Sequence, residues 1–252
     1  MKLSALKRSS GMFSEAVQTK KCQCCLKDCR VCEKLDKFCM RYAWKVLSLD
    51  ITRPDKLLQK YQCNFTNCIK SANHSAAALV NLLAENFPGF NDSVRFENRK
   101  SVRFLKRAQI CVADIWAAFD GQDWGEFDDI DKITIFADYR IPQLLATLGC
   151  LWYNPQLDHA IRQKKEIESG HTWEIQLRGL SCWAYTKGII TDELAGCSIW
   201  CVELIRREIL KNHPHAKINA ILIDFFLYDT MKEQELAGQE QVPHHRTRSI
   251  WY

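Results

Sequence analysis

A chain of 252 residues with 47% hydrophobic and 26% charged side chains is long enough to bury roughly 70–75% of its unfolded surface in one or two domains. Its net charge of +5 is uneven: residues 1–50 carry 11 Lys+Arg against 5 Asp+Glu, while the remaining 202 carry 24 against 25. A near-neutral body argues against duplex binding, which rests on many phosphate contacts, and permits a small anionic substrate held by a few local cations.

The N-terminal stretch "MKLSALKRSSGMFSEAV" lacks the apolar centre of a secretory signal, and no run of eighteen uncharged apolar residues follows. A soluble protein of the cytoplasm, with the nucleus also open to it and no membrane partner, is therefore expected. Cys22, Cys24, Cys25, Cys29, Cys32 and Cys39 crowd into eighteen positions without helical or strand period. Cys29 and Cys32 form a C-x2-C pair suited to zinc, but the other thiols are crowded and offer no clean second half for a structural site. Residues 1–50 are accordingly expected to be a poorly ordered cysteine-rich leader with no metal, and 51–252 a helical domain.

From about residue 55 the apolar spacing is helical. "SAAALVNLLAENF" puts Ala76, Leu79, Val80, Leu83 and Phe87 on one stripe, and "SVRFLKRAQICVADIWAAF" does the same with Leu105, Ala108, Val112, Ile115, Trp116 and Phe119. "DIDKITIFA" reads as one or two helical turns with Ile133, Phe136 and Ala137 inward. The pattern breaks at Asp138-Tyr139-Arg140, and a further helix is expected to open at Pro142 and close at Gly149. "NPQLDHAIRQKKEIESG" repeats this grammar, with Asn154 as cap, Pro155 at the first position and Gly170 at the end. "TWEIQLR" alternates as a short strand does. "CSIWCVELIRREIL" and "INAILIDFFLYDTM" are helices, the second apolar enough to predict an interior position. The fold class is mainly α, with at most one short β element.

Three places invite chemistry. Asp138 lies ahead of a helix N-terminus, where unpaired N–H groups and the helix dipole favour an anion. An anion held there suits a reaction through a sugar cation, although on position alone a helix cap or an ion pair with Arg140 is the simpler explanation. Asp224 is the only charged residue in "AILIDFFLY" and needs a partner or a proton. Either an arginine from another helix or the paired N–H groups of a purine-like base would serve, with Phe225 offering a face to stack on. Asp229, near the end of that helix, reads as solvated. Finally, Lys106 and its neighbours in "RFENRKSVRFLKR" make six cations against one acid; most such runs are solvated helix faces, though a lysine close to the apolar stripe could reach a site as a phosphate ligand or proton donor. The closing "HHRTRSIWY" combines histidines, arginines and aromatics, and reads as an exposed basic segment that could also suit a phosphate.

Taken together, "VRFLKRAQICVADIWAAF", "FDDIDKITIFADYRIPQLLATLGCLWY", "EIQLRG", "CSIWCVELIR", "ILIDFFLYD" and "HHRTRSIWY" resemble the queuosine salvage proteins, hydrolases that release queuine from queuosine 5'-phosphate. The resemblance covers roughly four-fifths of the chain, "KRAQI-x-VAD" and "FADYR-x-PQ" being its most specific parts. It implies an α-helical fold related to DNA glycosylases and a hydrolase of N-glycosyl bonds without a cofactor, serving tRNA modification. By position it makes Asp138 the catalytic carboxylate, Lys106 its accessory, and Ala137, Asp224, Phe225 and Asp229 contacts to the deazaguanine base. The leader stands where the family has a longer N-terminal portion, and "LSCWAYTKGIITDELAG" looks like an insertion at about 180–196. Two other readings remain open from the residues: a glycosylase acting on a base in DNA, and a ligand- or partner-binding protein without turnover. No direct nucleic-acid partner is expected from the neutral body.

Overall fold

The computed structural model describes residues 60–62, 65–95, 101–178, 198–239 and 242–252. The expectations for the leader and for 180–196 lie outside these residues. Among the described residues the structure is mainly helical, with eight α-helices and one two-stranded antiparallel sheet. The chain divides into two compact units.

The first unit includes 60–91 and 107–133. Its helices are α1 (Phe65–Ser71), α2 (Ala76–Asn86) and all but the first residue of α3 (Lys106–Ala118). The predicted stripe of α2 is buried throughout, as are Ala108, Val112, Ile115 and Phe119 of the next helical segment. Ser75 caps α2 by accepting from the Ala78 N–H at 3.1 Å, and Asp129 adds a second acceptor for the Ala76 N–H. Gly125, in a 3-10 turn at Asp123–Gly125, presses so closely on α3 that an added Cβ would lie 2.8 Å from the Ile115 carbonyl oxygen and 2.8 Å from Phe119 Cβ.

The second unit holds Asp92–Lys106 and Thr134–Tyr252. It begins with the hairpin of β1 (Ser93–Val94) and β2 (Val102–Arg103), pairing Ser93 with Arg103 and Val94 with Val102. Then follow α4 (Arg140–Thr147), α5 (Pro155–Arg162), α6 (Thr172–Arg178), α7 (Ser198–Asn212) and α8 (Ala220–Leu236). Helices α4, α7 and α8 enclose one apolar cluster built on Ile141, Leu144, Leu145, Val202, Ile223 and Leu227. A smaller one joins Phe104, Ala137 and Ile175, and a third joins Leu157, Ile161, Ile167 and Leu177.

Several expectations are corrected. "TWEIQLR" is α6, not a strand: Glu174, Ile175, Leu177 and Arg178 are its buried residues, an i, i+1, i+3, i+4 pattern. The short β element lies instead at 93–103, so the helix expected to start near Ser101 begins only at Lys106. "DIDKITIFA" is a single 3-10 turn, Ile130–Lys132, after which the chain runs without regular structure. The β-branched run Ile133-Thr134-Ile135 resists a helix, and the backbone beyond it is claimed by side chains: Phe136 N–H donates to Asp224, and the Ala137 carbonyl accepts from Arg178. Helix α5 is capped by Asn154 with Pro155 at its start, but ends at Arg162 rather than at Gly170. Gly149 does close α4, at φ +69°, with the Cys150 N–H reaching back to the Leu145 carbonyl. Helix α8 is interior on one face only, since Phe226 is 53% exposed.

Gly125→Ala should lower stability by about 1–3 kcal/mol, because backbone and a Cβ, not a flexible side-chain end, stand in the way. Thermal unfolding of the variant checks this, and an unchanged midpoint would contradict the close approach.

Candidate active site

Asp138 ends the irregular stretch, two residues ahead of α4. Its Oδ1 accepts from the first-turn N–H groups of Arg140 at 2.8 Å and Ile141 at 3.1 Å, so its carboxylate does the capping from one residue before Tyr139, which holds the N-cap position without a side-chain cap bond. The capping explanation is therefore correct. The Arg140 ion pair is not, since that guanidinium reaches Glu235 at 2.8 Å. Capping uses one carboxylate oxygen only. The other, Oδ2, lies 3.6 Å from Lys106 Nζ, with the aspartate side chain 24% and the lysine side chain 8% exposed. An anion aimed by two backbone donors and a lysine thus retains an accessible edge.

Lys106 is the first residue of α3 and is buried. Burial lowers the affinity of its amine for a proton; Asp138 opposes that most, Arg178 adds to it, and Asp224 and Asp92 oppose it further. Around this lysine stands an ionic cluster that sequence reasoning missed. Arg178, 2% exposed, donates from Nη1 to Asp92 Oδ1 at 3.0 Å and from Nη2 to Asp92 Oδ2, and its Nε donates to the Ala137 carbonyl at 3.1 Å. Glu174 Oε1 lies 3.5 Å from Arg178 and accepts from the Tyr252 hydroxyl at 2.9 Å.

The closing segment is not simply an exposed basic tail. Its backbone is tied down by Gln143 Nε2 donating to the Val242 carbonyl and by Ile167 N–H donating to the Arg246 carbonyl, each at 2.7 Å. The Tyr252 ring lies 5.8 Å from Lys106 Nζ and 5.5 Å from the Arg178 guanidinium. His245 Nε2 sits 3.2 Å from the Tyr252 oxygen. Since that hydroxyl donates to Glu174, the histidine must donate here, leaving Nδ1 as a bare acceptor. Burial first, then His244 and Arg178, push the His245 pKa down to about 4, so the ring is neutral. Arg246 and Arg248 are exposed as expected.

Asp224 is buried and, among the described residues, paired with neither an arginine nor any other cation in direct contact; its Oδ2 accepts from the Phe136 N–H at 3.0 Å. Burial, with Asp138 adding to it, pushes its pKa up to about 8 against the pull of the Phe136 N–H and Lys106. At neutral pH it is mostly a carboxylic acid, able to donate as well as accept. Phe225 is half-buried and meets Phe136 edge to face at 6.2 Å. Asp229 is half-buried rather than simply solvated, and burial and Glu233 raise its pKa. Ala137 is buried, its carbonyl held by Arg178 and its N–H donating to Ile135. The structure thus brings Asp138, Lys106 and Asp224 into mutual electrostatic range, with Ala137 adjoining Asp138. Phe225 and Asp229 stand on the helix that carries Asp224.

The roles of Asp92, Glu174 and Arg178 carry little mark in the sequence pattern, and those of His245 and Tyr252 show there only as part of a basic, aromatic closing segment, because their significance lies in contacts across 7 to 86 residues. One signal was available: Glu174 and Arg178 stand four apart, acid first, the spacing of a helical ion pair and not of a strand. Among the described residues no group of three His, Cys, Asp or Glu side chains is placed to hold a metal ion, and no helix is long and apolar enough to cross a membrane.

The raised pKa of Asp224 has a signed consequence for stability. The fold prefers the protonated form, so the residue costs nothing below the unfolded pKa of about 3.9 and progressively more as pH rises from there towards 8. Asp224→Asn, which can still accept from Phe136, should raise the unfolding temperature at pH 8 and leave it nearly unchanged at pH 4. Thermal scans at the two pH values test this, and equal shifts at both would rule it out.

Residues 52–189 and 190–252 match the family described as queuosine salvage protein. The mouse (Mus musculus) protein named queuosine 5'-phosphate N-glycosylase/hydrolase is 39% identical over 202 residues, 78% of this chain and 54% of the relative. Proteins of the same name from Schizosaccharomyces pombe and Sphaerobacter thermophilus are 38% identical over 204 residues and 37% over 196. Each alignment covers 78% of this chain and 53% and 54% of those relatives respectively. The chain therefore spans about half the length of the curated relatives it matches. The matched region contains the whole Asp138 cluster, from Asp92 to Tyr252, and on that footing the chain belongs to the queuosine salvage protein family.

Proposed function

We propose that this chain hydrolyses the N-glycosidic bond of queuosine 5'-phosphate and releases queuine for salvage into tRNA modification. The observation that carries the reading is the divided Asp138 carboxylate: one oxygen is spent on capping α4, and the other is turned towards Lys106 with an accessible edge. The name shared by the relatives supplies the substrate.

In the proposed reaction the C–N bond breaks with its electron pair leaving on the deazaguanine nitrogen. The ribose carbon becomes cationic and water adds to it, the proton that water releases replacing the one Lys106 gives to the base. Such a charge is best met by an anion already oriented before the reaction, since no reorganisation is then needed in the transition state. Asp138 meets that requirement, stabilising the cation or capturing it briefly as an ester. Lys106, whose burial weakens its hold on a proton, aims the carboxylate and hands a proton to the departing base. Asp224 reads the base, with Phe225 and the buried Ala137 as apolar walls and Asp229 as a further polar contact.

Asp138→Asn is the sharpest test because asparagine also caps helices well and preserves the fold. With it, kcat should fall by about 10²–10⁴-fold while the unfolding midpoint stays close to that of the parent. Release of queuine is followed by chromatography of a queuosine 5'-phosphate incubation. A folded parent chain that yields no queuine, or an Asp138→Asn variant that keeps most of the rate, defeats the reading.

Asp224 gives a second outcome. To accept two N–H groups of a deazaguanine it must give up the proton that it holds below about pH 8. Queuine affinity should therefore climb between pH 6 and pH 8, by up to about tenfold per unit, and Asp224→Asn should remove the slope. Calorimetric titration across that range decides it, a flat profile in the parent chain counting against Asp224 as the base reader.

A further inference from the structure

The Asp138 carboxylate and the Lys106 ammonium come from segments 32 residues apart in the chain, so something must set their separation. Helix α4 fixes one end of Asp138 through the Arg140 and Ile141 N–H groups. The other end is fixed by the peptide that joins it to Ala137. A peptide is planar, so holding the Ala137 carbonyl also orients the bond leading to the Asp138 Cα. Arg178 Nε holds that carbonyl at 3.1 Å.

Arg178 is itself held on several sides. Its two terminal nitrogens grip both oxygens of Asp92, the pair being 2% exposed on each side, and its guanidinium carbon lies 4.1 Å from the centre of the Phe104 ring. Asp92 in turn holds the backbone that delivers Lys106. Its carbonyl accepts from Phe104 N–H at 2.9 Å and Leu105 N–H at 3.1 Å, and its Oδ2 is 3.4 Å from the Lys106 nitrogen. Leu105 adopts φ +50°, a left-handed conformation that a leucine keeps only where the surroundings impose it. One buried ion pair thus grips the approach to Asp138 with one member and the approach to Lys106 with the other.

We infer that Arg178, locked by Asp92, is a positioning residue that sets the Asp138 carboxylate against Lys106; this rests on the N-glycosidase reading for its effect on rate, though not for its geometry. Neither residue donates to or accepts from the Asp138 carboxylate, so both act through the backbone. Lysine at 178 keeps the charge and can pair with Asp92, but a single ammonium cannot reproduce the three-way fork that also reaches Ala137.

Arg178→Lys in the full chain should lower kcat about 100-fold, the cost of a displacement near 1 Å at a reacting group, with KM unchanged. Asp92→Asn, which keeps an acceptor for the fork, serves as the second variant should Arg178→Lys fold poorly, and it should show the same confinement to kcat. Because the two residues act as one device, the double variant should lose little beyond Arg178→Lys alone. The alkaline limb of the rate profile separates position from charge. Lys106 faces Asp138, Asp224, Asp92, Arg178 and the Tyr252 ring; Asp92→Asn removes a negative neighbour and should move that limb to lower pH, whereas Arg178→Lys should leave it in place.

Hydrogen exchange reads the geometry without turnover. In Arg178→Lys the Arg140 and Ile141 amides should exchange faster while the rest of α4 is unchanged. Losses confined to KM, additive losses in the double variant, or unaltered exchange at these two amides would each overturn the assignment. A parent chain without turnover would instead overturn the N-glycosidase reading and leave amide exchange to decide the positioning role.

Discussion

Charge buried in a small apolar unit is the constraint from which the rest follows. Asp92, Lys106, Glu174, Arg178 and Asp224 are each less than 9% exposed, and an ion removed from water must find a partner or change its protonation. Arg178 is satisfied by Asp92, with Glu174 beside it and the Ala137 carbonyl as a third acceptor. Lys106 has the Asp138 carboxylate. Asp224, with a backbone N–H and no cation in contact among the described residues, is left to bind a proton. The ionic arrangement is therefore a set of mutually dependent solutions, and it determines where the irregular stretch before α4 must run.

That dependence lets the structural role of Asp138 stand beside the reactive one proposed for it. Asp138 was open to two accounts, helix cap or catalytic anion, and they prove compatible because a carboxylate has two oxygens. The cap directs the group and stabilises the start of α4, and the free edge is what a developing sugar cation would meet. Asp224 shows the complementary case, in which burial makes a carboxyl group neutral at the pH where Asp138 is wanted as an anion. Two acids placed in different surroundings in this way are suited to different tasks.

Most of the helices were legible because their information is local. Ala76, Leu79, Val80 and Leu83 recur at helical spacing, Asn154 and Pro155 announce α5, and Gly149 ends α4; each signal depends on neighbours within one or two turns. The failures occurred where long-range bonds outweigh local preference. Alternating apolar residues in "TWEIQLR" suggested a strand, but burial of Glu174 and Arg178 with Asp92 and Tyr252 requires the i, i+4 geometry of a helix. The segment after Ile133 lost its expected helix because Asp224 and Arg178 take backbone groups that a helix would use internally. The C-terminal basic segment was read by composition, which cannot reveal that Tyr252 reaches Glu174 across 78 residues.

Sequence by itself determined the helical class, the polar break at Asp138, the isolation of Asp224 in an apolar run, and the family motifs, since these depend on residue type and short-range spacing. Only the tertiary structure decided which charges meet. Lys106 stands out among the six cations of its cluster by its place near the apolar stripe and in the family motif, but only burial and the 3.6 Å approach to Asp138 set it at that carboxylate. Arg178 and Asp92, 86 residues apart, carry no local sign of their partnership. Pairing between buried charges is set by where the packed helices place them, and electrostatic attraction through a low-dielectric interior is decided by distance in space rather than by order along the chain.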